Sequence, residues 1–325
     1  MGWIIAGVLL GGLALLAGYH RWAEARDRVR YPMPGKHYDV DGVALHLRDH
    51  GQGSPVVVFE QGAGFGTSLW GTVLDDVAKV TRVIAYDRAG VEWSASTGRE
   101  LDIDDINTQF HALLETAGVD GPMILVGYSM GGVYIRRYYD RYPKERVVGM
   151  VLLESSHEHM TTAMNEAGWD MAKMFRPVYK YALPAFNALV PTGIPRLLNR
   201  FNRELTPPLR ALLNRRGVFA GMAADIKRWV EGSVDTAPPP PSLGALPLTV
   251  VTQGDFSQSV KGKAMKKAYP AVWTRHQKEL TALSSRGSQR FAEGEGHGFV
   301  FKAPQIASAA IIEMVESVRR DTEAP

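Results

Sequence analysis

The sequence predicts an α/β fold with a mainly parallel sheet, and three observations lead to this prediction. Short apolar strands alternate with helical segments along most of the chain. A glycine-rich loop follows one of these strands. A stretch of about 90 residues then interrupts the alternation with helical patterns alone. With 325 residues, of which 45% are hydrophobic, the chain is long enough to bury a sizeable core in about one or two domains.

Each element is predicted from its hydrophobic pattern. An alternating hairpin turns at Asp41-Gly42, and the later strands are continuous apolar runs, which are typical of strands buried on both faces. The predicted strands are Tyr38–Val40, Val43–Leu47, Pro55–Phe59, Val83–Tyr86, Met123–Val126, Val147–Leu153, Leu248–Val251 and Gln289–Ala292. The predicted helices are Leu69–Val80, Ile103–Ala117, Val133–Tyr142, Val272–Leu283 and Gln305–Val318.

The interruption predicts a helical cap inserted between two strands. From His157 to Leu246, helical segments separated by proline and glycine replace the strand pattern, and the stretch ends in the stiff run Pro238–Pro241. We therefore expect four parts: an anchor and juxtamembrane segment at 1–30, the first part of the core at 31–156, the cap at 157–246 and the second part of the core at 247–325.

The N-terminal segment Gly2–Gly18 has no charged residue and is just long enough to cross a membrane. It lacks the positive start of a cleaved signal peptide and the polar face of an ordinary core helix, so a single-pass anchor is the favoured interpretation. The arginines that follow the segment favour a cytoplasmic catalytic domain on the cell membrane, and an outward-facing domain stays open. These arginines are Arg21, Arg26, Arg28 and Arg30.

Composition excludes several classes of function. The 37 basic and 34 acidic residues give a net charge of +3, which does not indicate nucleic-acid binding. The run Lys261–Lys267 is interpreted as solvated surface. The absence of cysteine excludes disulfides, a thiolate nucleophile and a cysteine zinc site. The glycine spacing of the loop Gly62–Gly66 matches neither a dinucleotide fingerprint nor a P-loop.

One serine lies between glycines where a predicted strand meets a predicted helix, in Gly127-Tyr128-Ser129-Met130-Gly131. A tight turn is the simpler interpretation, because glycine is common where a strand turns into a helix. The functional interpretation is a nucleophile elbow, in which a serine sits in a strained turn and small residues let helix and strand approach. Ser129 is therefore the candidate nucleophile.

A serine hydroxyl needs a base and an anion hole to act as a nucleophile. Of the nine histidines, only His297 follows the last predicted strand, and it is flanked by glycines. We expect His297 to be the base. The anion hole is expected to use the backbone N–H of Met130 and that of Ala63 or its neighbour Gly62.

Taken together, these motifs resemble the α/β-hydrolase fold family, in its lidded serine-esterase and lipase-like branch, over about residues 37–320. The resemblance rests on Gln61-Gly62, Asp87-Arg88-x-Gly90-x-x-x-Ser94, the Ser129 elbow and Gly296-His297. It implies an α/β-hydrolase fold with a helical cap, and a structural Asp87-Arg88 pair that orients loops near the site. Many members carry histidine in place of Gln61 and glycine in place of Glu92. Neither departure is expected to remove the backbone donors.

Two positions compete for the acid of the triad. Family members often place it three residues after a glycine on a late strand, but here that position holds Ser257, and Asp255 directly follows Gly254. The alternative is Glu154, at the end of the strand after the elbow helix. Either carboxylate could orient the imidazole of His297. Glu154 is preferred, and a triad without a conventional acid stays open.

The predicted function is hydrolysis of small-molecule carboxylic esters, without a metal or an organic cofactor. The cap is rich in methionine and aromatic residues, which favours lipophilic acyl esters, although most of these side chains are expected to form the cap's own core. They are Met160, Met164, Trp169, Met171, Met174, Phe175, Tyr179, Tyr181 and Phe186. Alternatives are an amidase, an aminopeptidase, a C–C bond hydrolase or a non-catalytic binding protein. An aspartate-nucleophile enzyme is disfavoured because the elbow holds serine.

Overall fold

An eight-stranded sheet lies at the centre of the computed structural model, which describes residues 1–202, 206–231, 239–259 and 263–323. The strands are β1 (Lys36–Val40), β2 (Val43–His50), β3 (Val56–Glu60), β4 (Val83–Tyr86), β5 (Met123–Tyr128), β6 (Val147–Leu153), β7 (Leu248–Gln253) and β8 (Gly287–Ala292). Their order in the sheet is β1-β2-β4-β3-β5-β6-β7-β8. The β1–β2 and β2–β4 pairs are antiparallel and the remaining pairs are parallel. The predicted α/β class is confirmed.

Helices cover both faces of the sheet, which explains why β3, β5 and β7 are buried along their whole length. The helices outside the cap are α1 (Gly2–Arg30), α2 (Thr72–Ala78), α3 (Ile103–Thr116), α4 (Met130–Arg141), α11 (Lys263–Thr281), α12 (Phe299–Lys302) and α13 (Pro304–Glu323). One core cluster joins the sheet to α2 and α13 around Trp70, and the other joins it to α3 and α4 around Phe110.

The bounds of all five predicted helices differ at one end or both: slightly in Ile103–Thr116, more in Pro304–Glu323, and also in three others. The predicted helix Leu69–Val80 is interrupted at Gly71, whose φ is +46°, so a 3₁₀ turn at Thr67–Trp70 precedes α2. The helix after the elbow begins at Met130, three residues earlier than predicted, because the glycines there belong to the helix. The helix predicted at Val272–Leu283 begins at Lys263 and accommodates Pro270.

In the described part of the chain between β6 and residue 246, the end of the predicted cap, the regular elements are helices, and Gly244 forms an isolated β-bridge with Ser284. The α-helices are α5 (Met160–Glu166), α6 (Met171–Pro177), α7 (Leu183–Leu189), α8 (Ile194–Asn199), α9 (Pro207–Leu213) and α10 (Val218–Val230). A π-helical turn, Val178–Ala182, joins α6 to α7. Pro238 and the side chains of Lys261–Lys267 lie outside the described residues, so the interpretation of that run as surface stays a prediction.

The apolar N-terminal segment is the first part of α1, a helix of 29 residues. By length and composition this helix could cross a membrane, and no residue of its most apolar window is buried. Its second half contacts the cap. Asp27 pairs with Arg196 at 2.6 Å, and a Cβ on Gly193 would lie 2.8 Å from the Leu16 carbonyl oxygen.

Candidate active site

Ser129 occupies a strained turn directly after β5. Its φ of +52° and ψ of −121° are values that residues with a side chain rarely adopt. The glycines around it are required by close packing. A Cβ on Gly127 would lie 2.6 Å from the Gly132 Cα, and one on Gly131 would lie 2.7 Å from the Gln61 carbonyl oxygen. The sequence therefore builds a close crossing of strand and helix, with the serine at its apex.

Glu154 occupies the matching position at the end of the neighbouring strand. In the register of β5 with β6, Tyr128 pairs with Leu153, so Ser129 and Glu154 each follow a paired strand end. Glu154 also has a positive φ, +47°, and is fully buried. Residues strained in this way occur preferentially at functional sites, where the surrounding structure holds them in place.

Glu154 is held by three hydrogen-bond partners, and one of them is the predicted base. Its Oε1 accepts hydrogen bonds from the backbone N–H of Gln253 at 2.6 Å and from Trp273 Nε1 at 2.9 Å. Its Oε2 lies 2.9 Å from Nδ1 of His297. A carboxylate there favours the tautomer with the proton on Nδ1, which leaves Nε2 free to accept a proton.

The His297 ring lies between two aromatic side chains from other elements. The Tyr128 ring centroid is 5.3 Å away, and the Trp273 ring meets the imidazole edge-on at 5.5 Å. The backbone is held as well, because Tyr128 donates to the His297 carbonyl oxygen and the His297 N–H donates to Ser259 Oγ, both at 3.0 Å. Tyr128 directly precedes Ser129, so these contacts link the His297 loop to the end of the strand that carries the candidate nucleophile.

Asp255, the other candidate acid, directs its carboxylate elsewhere. It caps the short turn Phe256–Gln258, accepting from the Ser257 N–H at 2.8 Å and from Gln258 Nε2 at 3.1 Å. Hydrogen bonding from the Ser257 side chain, then from its backbone N–H, lowers the pKa of Asp255. Within the described residues, the carboxylate that meets the His297 ring is that of Glu154. The geometry supports Glu154 over Asp255 as the partner of His297.

The glycine-rich loop lies directly against the serine. A Cβ on Gly62 would come within 3.1 Å of Ser129 Cβ and within 3.0 Å of the Tyr128 ring, so a side chain there would press on both residues. On the other side of Ser129, α4 begins at Met130, and a helix N-terminus offers unpaired N–H groups and a partial positive charge. Gly62 and Met130 therefore both lie against Ser129, and the anion hole expected from Met130 with Ala63 or Gly62 stays a prediction.

Arg88 fixes the orientation of this loop. Its guanidinium donates to the Gln61 carbonyl at 2.8 Å and to the Gly62 carbonyl at 2.7 Å. In a planar trans peptide the N–H points opposite to the C=O. The N–H groups of Gly62 and Ala63 are therefore turned away from Arg88. The predicted loop-orienting role of this residue thus has a physical basis.

Arg88 also reaches the cap. It forms buried ion pairs with Glu60 and with Asp225 of α10, and Asp225 accepts a further hydrogen bond from the Gly64 N–H at 2.9 Å. Sequence reasoning missed Glu60, Asp225, Tyr128 and Trp273. No pattern along the chain indicates that residues so far apart in sequence meet here.

Glu92 stands where many members of the family have glycine. Its φ of +42° is a backbone conformation that glycine adopts readily. Its carboxylate accepts hydrogen bonds from the N–H groups of Gly66 and Ser68, at 2.9 and 3.1 Å. Burial, together with the nearby Asp87 carboxylate, raises the pKa of Glu92 to about 7. The side chain thus braces the segment that follows the glycine-rich loop.

One group of metal-ligating side chains lies outside this site. Ligand atoms of His157, His276 and Glu279 come within 4.8 Å of one another, and the two imidazole rings are stacked at 4.4 Å. The His159 N–H donates to His157 Nδ1 at 3.1 Å. The neutral ring therefore carries its proton on Nε2, the atom that faces Glu279. This tautomer opposes metal binding through Nε2.

A groove of about 660 Å³ opens between the loop that precedes α3 and helix α10. Its lining is mixed in charge and includes Glu92, Arg99, Asp102 and Lys227, but neither Ser129 nor His297. This groove is separate from the candidate triad.

Comparison with known proteins places this geometry in a family. The model of the alpha/beta hydrolase fold matches residues 55–230, which is more than half of the chain. The chain belongs to the α/β-hydrolase fold family. A thermophilic esterase from Thermogutta terrifontis superposes with a TM-score of 0.60 at 18% identity, covering 87% of this chain and 97% of that one. That similarity supports the same α/β-hydrolase fold.

Curated relatives match shorter parts of this α/β hydrolase. A bifunctional esterase/perhydrolase from Acinetobacter calcoaceticus is 32% identical over 117 residues, which cover 35% of this chain and 42% of that protein. A probable transporter from Hormonema carpetanum is 32% identical over 291 residues, which cover 81% of this chain and 40% of that protein. The chain spans roughly half of the length of the first curated relatives it matches.

Proposed function

We propose that this protein is a serine hydrolase that cleaves carboxylic esters through an acyl-enzyme on Ser129. The observation that carries the proposal is the hydrogen bond between His297 and buried Glu154, beside a strained serine at a helix N-terminus. The fold supports hydrolysis in general. The choice of esters rests on the apolar cap and on the esterase among the relatives.

In the proposed mechanism, His297 Nε2 takes the proton of Ser129 Oγ as the oxygen attacks the acyl carbon. Glu154 stabilises the imidazolium that forms. The backbone N–H groups of Met130 and of Ala63 or Gly62 stabilise the oxyanion. His297 then gives its proton to the leaving alcohol, and a water activated by the same imidazole releases the acid.

The location we propose is a membrane, reached through a single span at Gly2–Gly18. The length and composition of α1 support a span, and its exposed apolar side chains need a nonpolar environment. The arginines of the second half of α1 favour a cytoplasmic domain. The substrate we propose is an apolar ester.

Fluorophosphonate labelling of the detergent-solubilised full chain tests the nucleophile. We expect one adduct, located on Ser129 by peptide mass spectrometry, because an activated serine is phosphonylated far faster than an ordinary one. Labelling should be lost in Ser129→Ala and strongly slowed in His297→Ala. The exposed Ser285→Ala variant is the matched control and should label normally. Folded protein without an adduct would refute the serine-hydrolase proposal.

A panel of substrates then distinguishes the bond class. Turnover of acyl esters, with matched amides untouched, would support the ester assignment. Faster cleavage of the amides would favour the amidase alternative, because both reactions can use the same machinery. A folded protein that labels on Ser129 but turns over neither class would point to another bond, such as the C–C bond considered above.

A further inference from the structure

The cap carries an exposed apolar stripe along the continuous helical run Met171–Thr192. The exposed large side chains are Met174, Val178, Tyr181, Phe186 and Leu189, and Leu197, Leu198 and Phe201 continue the surface beyond it. Tyr181 is 63% and Phe201 is 74% exposed. We call these eight residues the cap patch. Exposed apolar residues scattered singly need no explanation, but a contiguous set indicates a binding surface.

The spacing shows that the stripe is one face of the helix. Its members are separated by four, three, five and three residues, and helical neighbours on one face are three or four apart. The single spacing of five crosses the π-helical turn Val178–Ala182, which inserts one extra residue. The π turn therefore keeps Phe186 and Leu189 on the same face as Met174.

The opposite face of the same run is already used. Phe175, Tyr179 and Leu183 point inward and pack against α10, in a cluster with Trp229. The run is therefore apolar on two faces, and only one of them is covered by protein. A surface helix normally carries polar residues on its outer face. The second apolar face needs a separate explanation.

The charged side chains of the patch segment itself are all cationic, although Asp170 just before it and Glu231 after α10 act electrostatically on Arg176. Residues 171–202 contain five cationic side chains and no aspartate or glutamate, in a chain that is otherwise almost balanced. Lys173, Arg176, Lys180 and Arg200 are exposed, whereas Arg196 is paired with Asp27. Apolar side chains bordered by lysine and arginine are the composition of surfaces that bind anionic membranes.

The patch also lies close to the C-terminal end of the proposed membrane span of α1. Gly193, between the two halves of the patch, contacts the Leu16 carbonyl, two residues before the apolar segment ends at Gly18. At 1.5 Å per residue, this contact lies about 3 Å from the end of the proposed span. The patch therefore begins where α1 leaves the hydrocarbon of the bilayer.

From these observations we infer that the cap patch docks on the anionic surface of the bilayer that α1 spans, with its apolar side chains in the headgroup region. The inference rests on the proposed membrane span. It deepens the proposed function, because a cap that touches the bilayer can receive apolar esters directly from it. Polar substrates would have to approach from another side.

The absence of cysteine allows single-cysteine labelling of the full chain in vesicles. An environment-sensitive fluorophore is placed on Phe186→Cys and Phe201→Cys for the patch and on Leu10→Cys for the span. Asp120→Cys, before β5 and thus at the end of the sheet opposite Ser129, is the aqueous control. The vesicles contain equal parts of phosphatidylcholine and phosphatidylglycerol.

We expect both patch labels to show blue-shifted emission and to be quenched by spin-labelled lipid, while the Asp120→Cys label is quenched by iodide. Patch labels that behave like the control, with the Leu10→Cys label in lipid, would overturn docking and leave the span intact. A Leu10→Cys label that is quenched by iodide, as the aqueous control is, would overturn the span itself. Patch protection that rises with the amount of protein per vesicle would instead indicate a second copy of the chain.

Charge reversal tests the electrostatic part of the same inference. Lys173→Glu with Lys180→Glu should reduce the lipid quenching of the patch labels, since each lysine near an anionic surface contributes about fivefold to binding. The matched control is Lys144→Glu, which lies before β6 at the opposite end of the sheet. A reduction of equal size in the control variant would contradict docking through the patch.

Discussion

At the scale of single residues, two of the strained backbone positions lie at the ends of two paired strands. Ser129 and Glu154 both hold positive φ values, and such conformations cost about 1–3 kcal/mol each. Hydrogen bonds fix both turns: the Ser129 N–H donates to the Leu153 carbonyl and the Glu154 N–H to the Val251 carbonyl, at 3.0 and 2.8 Å. The parallel sheet therefore supplies the rigidity that holds nucleophile and acid in place.

Glu154→Gln is expected to lower kcat about 10³–10⁴-fold with little loss of stability. The amide oxygen can keep the hydrogen bonds from Gln253 N and Trp273 Nε1, so its NH₂ group faces His297. Nδ1 must then accept, which moves the imidazole proton to Nε2 and blocks its use as a base. The measurement is kcat on a short-chain p-nitrophenyl ester.

The matched control for this prediction is Asp255→Asn, which removes the other candidate carboxylate. Its activity should stay near that of the unaltered protein, because Asp255 caps a turn away from the ring. A large loss in Asp255→Asn, with Glu154→Gln active, would reverse the assignment of the acid.

Sequence analysis reached some of these residues and not others, for physical reasons. Ser129 and His297 carry signals within a few neighbouring residues, since close packing demands glycines around the elbow. The choice between Glu154 and Asp255 had to stay open, because it depends on which strand end faces the histidine loop. Only the fold decides that. No sequence pattern indicates the roles of Tyr128 and Trp273, because they position His297 through contacts between elements that are far apart in the sequence.

At the scale of elements, the glycine-rich loop has its shape imposed by a neighbouring strand. Arg88 is the second residue after β4 and donates to two carbonyl oxygens of the loop after β3. The planar guanidinium can donate to several acceptors in fixed directions, which an ammonium cannot do. The loop is therefore oriented by a residue that does not itself contact a substrate.

Arg88→Lys should lower kcat by about tenfold to a hundredfold, less than the loss from removing an oxyanion donor outright. Lysine keeps the charge between Glu60 and Asp225, so the variant should fold, but it cannot hold both carbonyls. KM should change little, because the loss concerns the transition state. The control is Arg82→Lys, at a half-buried arginine that pairs with Asp49 away from the loop. An unchanged kcat in Arg88→Lys would contradict this role.

The helical elements show where sequence patterns lose precision. The strands were predicted to within a few residues, since their apolar runs are continuous. Helix α2 was predicted too long, because the pattern continues through Gly71 while the backbone turns there. Most methionine and aromatic residues of the cap are expected in its interior, but Met174, Tyr181 and Phe186 are exposed. A residue pattern cannot distinguish which of two apolar faces another helix covers.

At the scale of the whole molecule, a buried pair of histidines makes the stability of the fold depend on pH in the acidic range. His157 and His276 are stacked between the end of β6 and α11. Burial lowers the pKa of His157 to about 3 and that of His276 to about 4, with further lowering by His159 and Arg275. The unfolded chain therefore binds protons more readily than the folded one below about pH 6.5.

The thermal midpoint should thus be highest above pH 6.5 and should fall as the pH is lowered toward 4. His276→Phe, which keeps a ring in the stack but cannot ionise, should reduce this loss. The measurement is Tm between pH 4.5 and 7.5 in detergent, with the exposed His50→Gln as the control. An identical pH slope in His276→Phe would contradict the assignment.

The ion pairs of Arg88 have a consequence for how this architecture could be altered. Arg88 is buried between Glu60 of the core and Asp225 of the cap. Deleting or exchanging the cap would therefore leave the buried guanidinium with only one of its two carboxylate partners, Glu60. Removal of the inserted segment should therefore disturb the orientation of the glycine-rich loop as well as remove the cap. This cap is not a detachable module, and grafting another one would have to bring its own carboxylate to the position of Asp225.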